Sequence, residues 1–114
     1  MSSHEDPVPS EPIHLGGEAE LEELVSSYDV VLVDFYADWC GPCQMMEPTI
    51  ETLAAETDAA VVKVDVDEFQ ALAAEYGVRG VPTLIVFSDG EMEERLVGAQ
   101  SEDVLTNAVE SHAA

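Results

Sequence analysis

Cys40 and Cys43 are the only two thiols in the 114 residues, and Gly41-Pro42 separates them. They stand at a junction. Val30 to Ala37 is a continuous β-branched and aromatic run, the pattern of a buried central strand, and from Pro42 onward the apolar residues recur at helical spacing. Three residues apart in a first helical turn, the two sulfurs lie on one side and can close a small ring. Free N–H groups at a helix start, and the positive end of its dipole, stabilise a thiolate at Cys40 and make it a nucleophile near neutral pH. Pro42 suits that turn, because its missing N–H would have had no partner there.

Two other uses of such a pair compete. A structural disulfide over so short a loop removes little unfolded-state entropy, and thiols of cytosolic proteins are kept reduced. Zinc wants four N or S ligands. The chain has no second Cys pair, and its histidines, His4, His14 and His112, lie near the termini. A zinc site would therefore need two chains sharing one metal, and no metal is expected in a single chain.

Asp34 is the third residue with chemical potential. Along its strand Val31, Val33 and Phe35 share one face, and Val30, Leu32, Asp34 and Tyr36 the other. A carboxylate in such a run is costly to ionise, so its proton affinity should rise. At a frayed strand end near water it would behave ordinarily. Lys63 is the one lysine of the chain; by itself it reads as a snorkelling surface residue.

The elements that must position these residues follow from patterning. Met1 to Pro12, with three prolines among Ser, Glu and Asp, reads as a flexible acidic tail, and residues 13–112 as one domain. Ile13 to Leu15 is long enough only for an edge strand. Glu18 to Tyr28 is helical, and Pro42 to Thr57 is helical with a kink expected at Pro48. Ala59 to Val66 is a strand, and Phe69 to Tyr76 a short helix stopped by Gly77. Thr83 to Phe87 and Met92 to Val97 flank Asp89-Gly90, a hairpin-turn signal. A last helix spans Glu102 to Ser111. The order β-α-β-α-β-α-β-β-α defines an α/β class: a mixed five-stranded sheet, parallel strands plus a C-terminal antiparallel hairpin, flanked by four helices.

Charge is the outlier. Twenty-five Asp and Glu face three cations, Lys63, Arg79 and Arg95, for a net charge of −22, and only Glu5, Asp6 and Glu11 of the acids precede residue 12. Such a surface repels itself in dilute buffer, whereas at molar salt the Debye length falls to about 3 Å and the penalty fades. The composition resembles that of proteins from salt-accumulating halophiles; an acidic mesophilic protein is the alternative. Three cations cannot build a basic patch, so nucleic acid is excluded as a partner. No apolar run approaches the roughly 18 residues of a membrane span, and the start has neither a basic cluster nor an apolar h-region. A cytoplasmic protein with no membrane partner is expected. Asp65-Val66-Asp67-Glu68 lacks the later Gly and Glu of a calcium loop and reads as a solvated turn.

Trp39-Cys40-Gly41-Pro42-Cys43, preceded by Val33-Asp34-Phe35-Tyr36-Ala37, resembles the active site of the thioredoxin family. The likeness continues through Lys63 to Asp67, Tyr76 to Leu84, Asp89-Gly90 and Val97 to Ala99. It implies the thioredoxin fold and a thiol–disulfide oxidoreductase that reduces protein disulfides through a mixed disulfide. Cys40 would be the nucleophile, Cys43 the resolving thiol, Asp34 the proton acceptor and donor, and Lys63 a residue that tunes Asp34. Trp39, Gly41, Pro42, Gly80, Val81, Pro82 and Gly98 would border the substrate groove, with the Val81–Pro82 bond cis and Val81 pairing with an extended segment. The resemblance further implies no bound cofactor beyond the redox-active Cys40–Cys43 disulfide, and re-reduction by an external thioredoxin reductase. Disulfide-containing protein substrates and a monomeric state complete it. Gln44, where many relatives carry lysine, lowers the local positive potential, and Tyr36 replaces a common tryptophan. A disulfide oxidase or isomerase on the same fold, or a redox-silent binding subunit, are the alternatives.

Overall fold

The computed structural model describes residues 7–112; the first half of the tail expected over residues 1–12 lies outside them. The chain runs β1 (Ile13–His14), α1 (Glu18–Ser27), β2 (Val30–Tyr36), α2 (Gly41–Met45), α3 (Glu47–Glu56), β3 (Ala60–Asp65), α4 (Gln70–Glu75), β4 (Thr83–Ser88), β5 (Glu91–Val97) and α5 (Glu102–Glu110). The five strands form one sheet in the order β1-β3-β2-β4-β5.

The central position of β2 explains why its run is apolar on both faces. Val31, Val33 and Phe35 pack with Val62, Val64, Ile85 and Phe87 under Leu21 and Val25 of α1 and Leu72 of α4. Val30 and Leu32 pack with Val61, Leu84 and Val86 under Ile50 and Leu53 of α3 and Leu105 and Val109 of α5. The result is three layers with a core on each side of the sheet. Leu105 is fully buried at the α5 contact. Leu105→Ala should cost about 2–5 kcal/mol, read as a lowered unfolding midpoint in molar salt; a loss below about 0.5 kcal/mol would mean that α5 is not part of the cooperative core.

Two details differ from the patterning. The helix expected as one kinked unit is two, which makes five helices among the described residues: Met46, at φ −86° and ψ −7°, separates α2 from α3. Pro48 lacks the N–H that the Gln44 carbonyl needs, and its ring crowds that carbonyl, so the disturbance falls on the turn before the proline. The second concerns direction. β1 and β2 flank β3 in parallel, but β4 lies antiparallel to β2 as well as to β5. The six residues of α4 span about 9 Å, less than half the roughly 20 Å of a six-residue strand. β4 starts with Thr83 opposite Phe35, at the end of β2 that leads to the cysteines. The hairpin turn is as the sequence suggests, with Asp89 at φ 52° and Gly90 at φ 84°, the backbone that a two-residue type I′ turn requires.

Candidate active site

The site gathers where β2 ends and α2 begins. Cys40 is the N-cap of α2, and its sulfur accepts a hydrogen bond from the Cys43 backbone N–H at 3.1 Å. Cys40 and Cys43 are joined as a disulfide with their Cα atoms 5.3 Å apart, within the usual range for a bridge. Both are nearly buried and pack against Ala37, Tyr36, Val66 and Val81. The Val81–Pro82 bond is cis. Gly98, at φ 89°, donates its N–H to the Pro82 carbonyl at 2.8 Å, and Thr83 Oγ1 donates to the Gly80 carbonyl at 2.7 Å. The segments carrying Gly80, Val81, Pro82 and Gly98 are thus tied together, with Val81 against the disulfide.

Trp39 is 71% exposed, although its indole N–H is spoken for: it donates to Asp67 Oδ2 at 2.8 Å. Asp67 stands in the acidic turn whose shape Asp65 sets by accepting the Asp67 N–H at 2.9 Å. Reading that turn as surface charge alone missed this contact. The signal was the unpaired indole donor, which looks for an acceptor. Gln44 folds back and donates to the Asp38 carbonyl at 2.6 Å.

On β2, the strand that leads to the cysteines, Asp34 is 4% exposed, and its Oδ1 has no hydrogen-bond partner among the described residues. Burial raises its pKa from the ordinary 3.8 to about 6; the Lys63 charge opposes the rise and the Glu47 charge adds to it. Asp34 and Lys63 are register partners on β2 and β3, so their side chains leave the same face of the sheet. Lys63 is also buried. Its ammonium lies 4.3 Å from the centre of the Tyr36 ring and 3.9 Å from Glu47 Oε1. Glu47 was not singled out in the sequence, yet its position four residues after Cys43 carried the clue, because that spacing shares a helix face. A cleft of about 350 Å³ lined by Tyr36, Asp38, Cys43, Gln44, Glu47 and Lys63 opens onto this group. Burial and then the charges of Asp65, Asp38, Asp34 and Glu68 push the Tyr36 phenol above its ordinary range.

A cysteine pair closed at a helix start, with a buried acid on the strand before it and a cis-proline segment packed against it, is the apparatus of a thiol–disulfide oxidoreductase. The thioredoxin family model matches residues 13–111. The thioredoxin of Staphylococcus aureus is 44% identical over 97 residues, which cover 83% of this chain and 92% of that protein. That of Mycoplasmoides gallisepticum is 44% identical over 86 residues, 75% of this chain and 86% of the relative. Among solved structures, a point mutant of the thioredoxin from Halobacterium salinarum NRC-1 superposes with a TM-score of 0.92 at 60% identity, covering 96% of each chain. The Schistosoma mansoni thioredoxin gives 0.82 at 36% identity over 90% of this chain and 95% of that one. The chain belongs to the thioredoxin family and is a disulfide reductase with its redox-active pair at Cys40 and Cys43.

Proposed function

We propose that this reductase works on protein disulfides in the cytoplasm of a salt-accumulating cell, as a monomer recharged by a thioredoxin reductase. The observation that supports the mechanism is the Cys40–Cys43 disulfide at the start of α2, with a buried acid, Asp34, on the strand that leads to it. After reduction, the Cys43 N–H that now meets the Cys40 sulfur supports a thiolate there. That thiolate attacks one sulfur of the substrate disulfide; the S–S bond breaks, and the departing thiolate takes a proton from solvent. Cys43 then gives its proton to Asp34 and attacks the Cys40 sulfur, releasing the second substrate thiolate, to which Asp34 returns the proton. Two electrons leave the Cys40–Cys43 pair and the substrate disulfide becomes two thiols. Trp39, Gly41 and Pro42 on one side and Gly80, Val81, Pro82 and Gly98 on the other form the docking surface, with the Val81 backbone as the pairing edge.

The salt assignment rests on the net charge of −22 and on the halobacterial relative. No described helix is long and apolar enough to cross a membrane. The test is reduction of a generic protein disulfide by a dithiol reductant in molar potassium chloride and in dilute buffer. Acceleration is expected in high salt and its loss in dilute buffer. The unfolding midpoint should rise between the two by roughly 4–8 °C for each kcal/mol of repulsion screened. A midpoint independent of salt would overturn the halophile assignment. Absence of acceleration in either salt, with the fold intact by circular dichroism, would instead mean a redox-silent binding protein.

A further inference from the structure

Two carboxylates share one buried ammonium in this protein. Lys63 enters from β3 at the level of Asp34, its register partner on β2. Yet its ion-pair partner among the described residues, at 3.9 Å, is the carboxylate of Glu47. Glu47 is the first residue of α3 and is half-exposed at the cleft that Cys43 and Lys63 also line. Asp34 Oδ1 meanwhile has no hydrogen-bond partner among the described residues. The charges acting on Asp34 are Lys63 from β3 and Glu47 from α3. Tyr36 lies on its own strand face, Cys43 of α2 lines the adjoining cleft, and β4 places apolar Leu84 in register with it.

We propose that Glu47 is a positioning residue for the second half of the exchange: its carboxylate holds the Lys63 ammonium toward the cleft mouth, withholds that charge from Asp34, and so keeps Asp34 a competent base for Cys43. The inference rests on the reading of Asp34 as the proton acceptor. Its physical basis is competition. An ammonium neutralised by Glu47 stabilises the ionised form of Asp34 less than a free one would, and an acid with higher proton affinity is the stronger base. Because Glu47 is half-exposed, solvent screens part of its effect.

The experiment is stopped-flow reaction of the reduced full-length protein with an aromatic disulfide in molar potassium chloride across a pH series. One coloured thiol is released in each half-reaction. The second phase, independent of disulfide concentration, reports attack by Cys43. In Glu47→Gln the acid limb of this phase should move down by about one pH unit, and the plateau rate should fall roughly threefold as the base weakens. In a Lys63→Met background the same substitution should shift the limb by less than half as much. An unmoved limb in Glu47→Gln, with Asp34→Asn lacking that limb, would overturn the role of Glu47 and leave the relay intact. A full shift persisting without Lys63 would overturn the route through the lysine. A limb that survives in Asp34→Asn would remove the relay itself.

Discussion

Cys40→Ser should reduce no disulfides: turnover falls at least about 1000-fold, since a serine hydroxyl is scarcely ionised near neutral pH and cannot form the mixed disulfide. Cys43→Ser should fail differently. Its Cys40 still attacks, but nothing resolves the intermediate, so substrate stays covalently attached and is seen as a higher-mass species that a small thiol releases. The asymmetry follows from the site. Cys40 is the N-cap residue whose sulfur receives the Cys43 N–H, whereas Cys43 lies inside the turn. Both variants keep the fold, because the bridge spans only three residues and adds little to stability. Turnover at the wild-type rate by Cys43→Ser, or trapping by Cys40→Ser, would reverse the assignment.

Asp34→Asn should make the protein more stable and less active together. In the unfolded chain Asp34 loses its proton around the ordinary 3.8; in the folded protein it holds it until about 6. Between those values the native state binds more protons than the unfolded state, so this residue makes stability fall as pH rises through that window. Above about 6 the full cost of a buried carboxylate is present, on the order of 3 kcal/mol. The amide carries a polar-burial cost like that of the protonated acid but never ionises. The stability gain of Asp34→Asn should therefore be near zero at pH 4, grow through the window and level off above it, as measured by chemical unfolding in molar salt. A gain equal at pH 4 and pH 8 would mean that Asp34 is not the titrating group. Activity should move the other way, with resolution by Cys43 slowed by about 100-fold for loss of a general base. A site that lowers stability for the sake of its chemistry is common in enzymes.

Local features of this protein were legible in the sequence. The strand–Cys-Gly-Pro-Cys–helix junction was legible because a buried strand, a first-turn proline and a thiol pair at helical spacing each report on their own neighbourhood. The same holds for Asp89-Gly90, whose positive φ values depend on two residues. The alternation that put Asp34 on the face of Leu32 also needs no partner strand to be read. Resemblance to a family then supplied Val81–Pro82, which no local pattern distinguishes from any other X-Pro pair.

Which charge meets which depends on the packing of distant elements. Lys63 is separated from Glu47 by sixteen positions and from Asp34 by twenty-nine, and strand register together with the start of α3 settles that its ammonium lies 3.9 Å from Glu47. Asp67 reaches Trp39 across twenty-eight positions, and β4 lies antiparallel to β2 although a helix precedes it. Periodicity fixes the face a residue occupies. Distances between residues far apart in the chain depend on how elements of different length pack, and that information resides in no single segment.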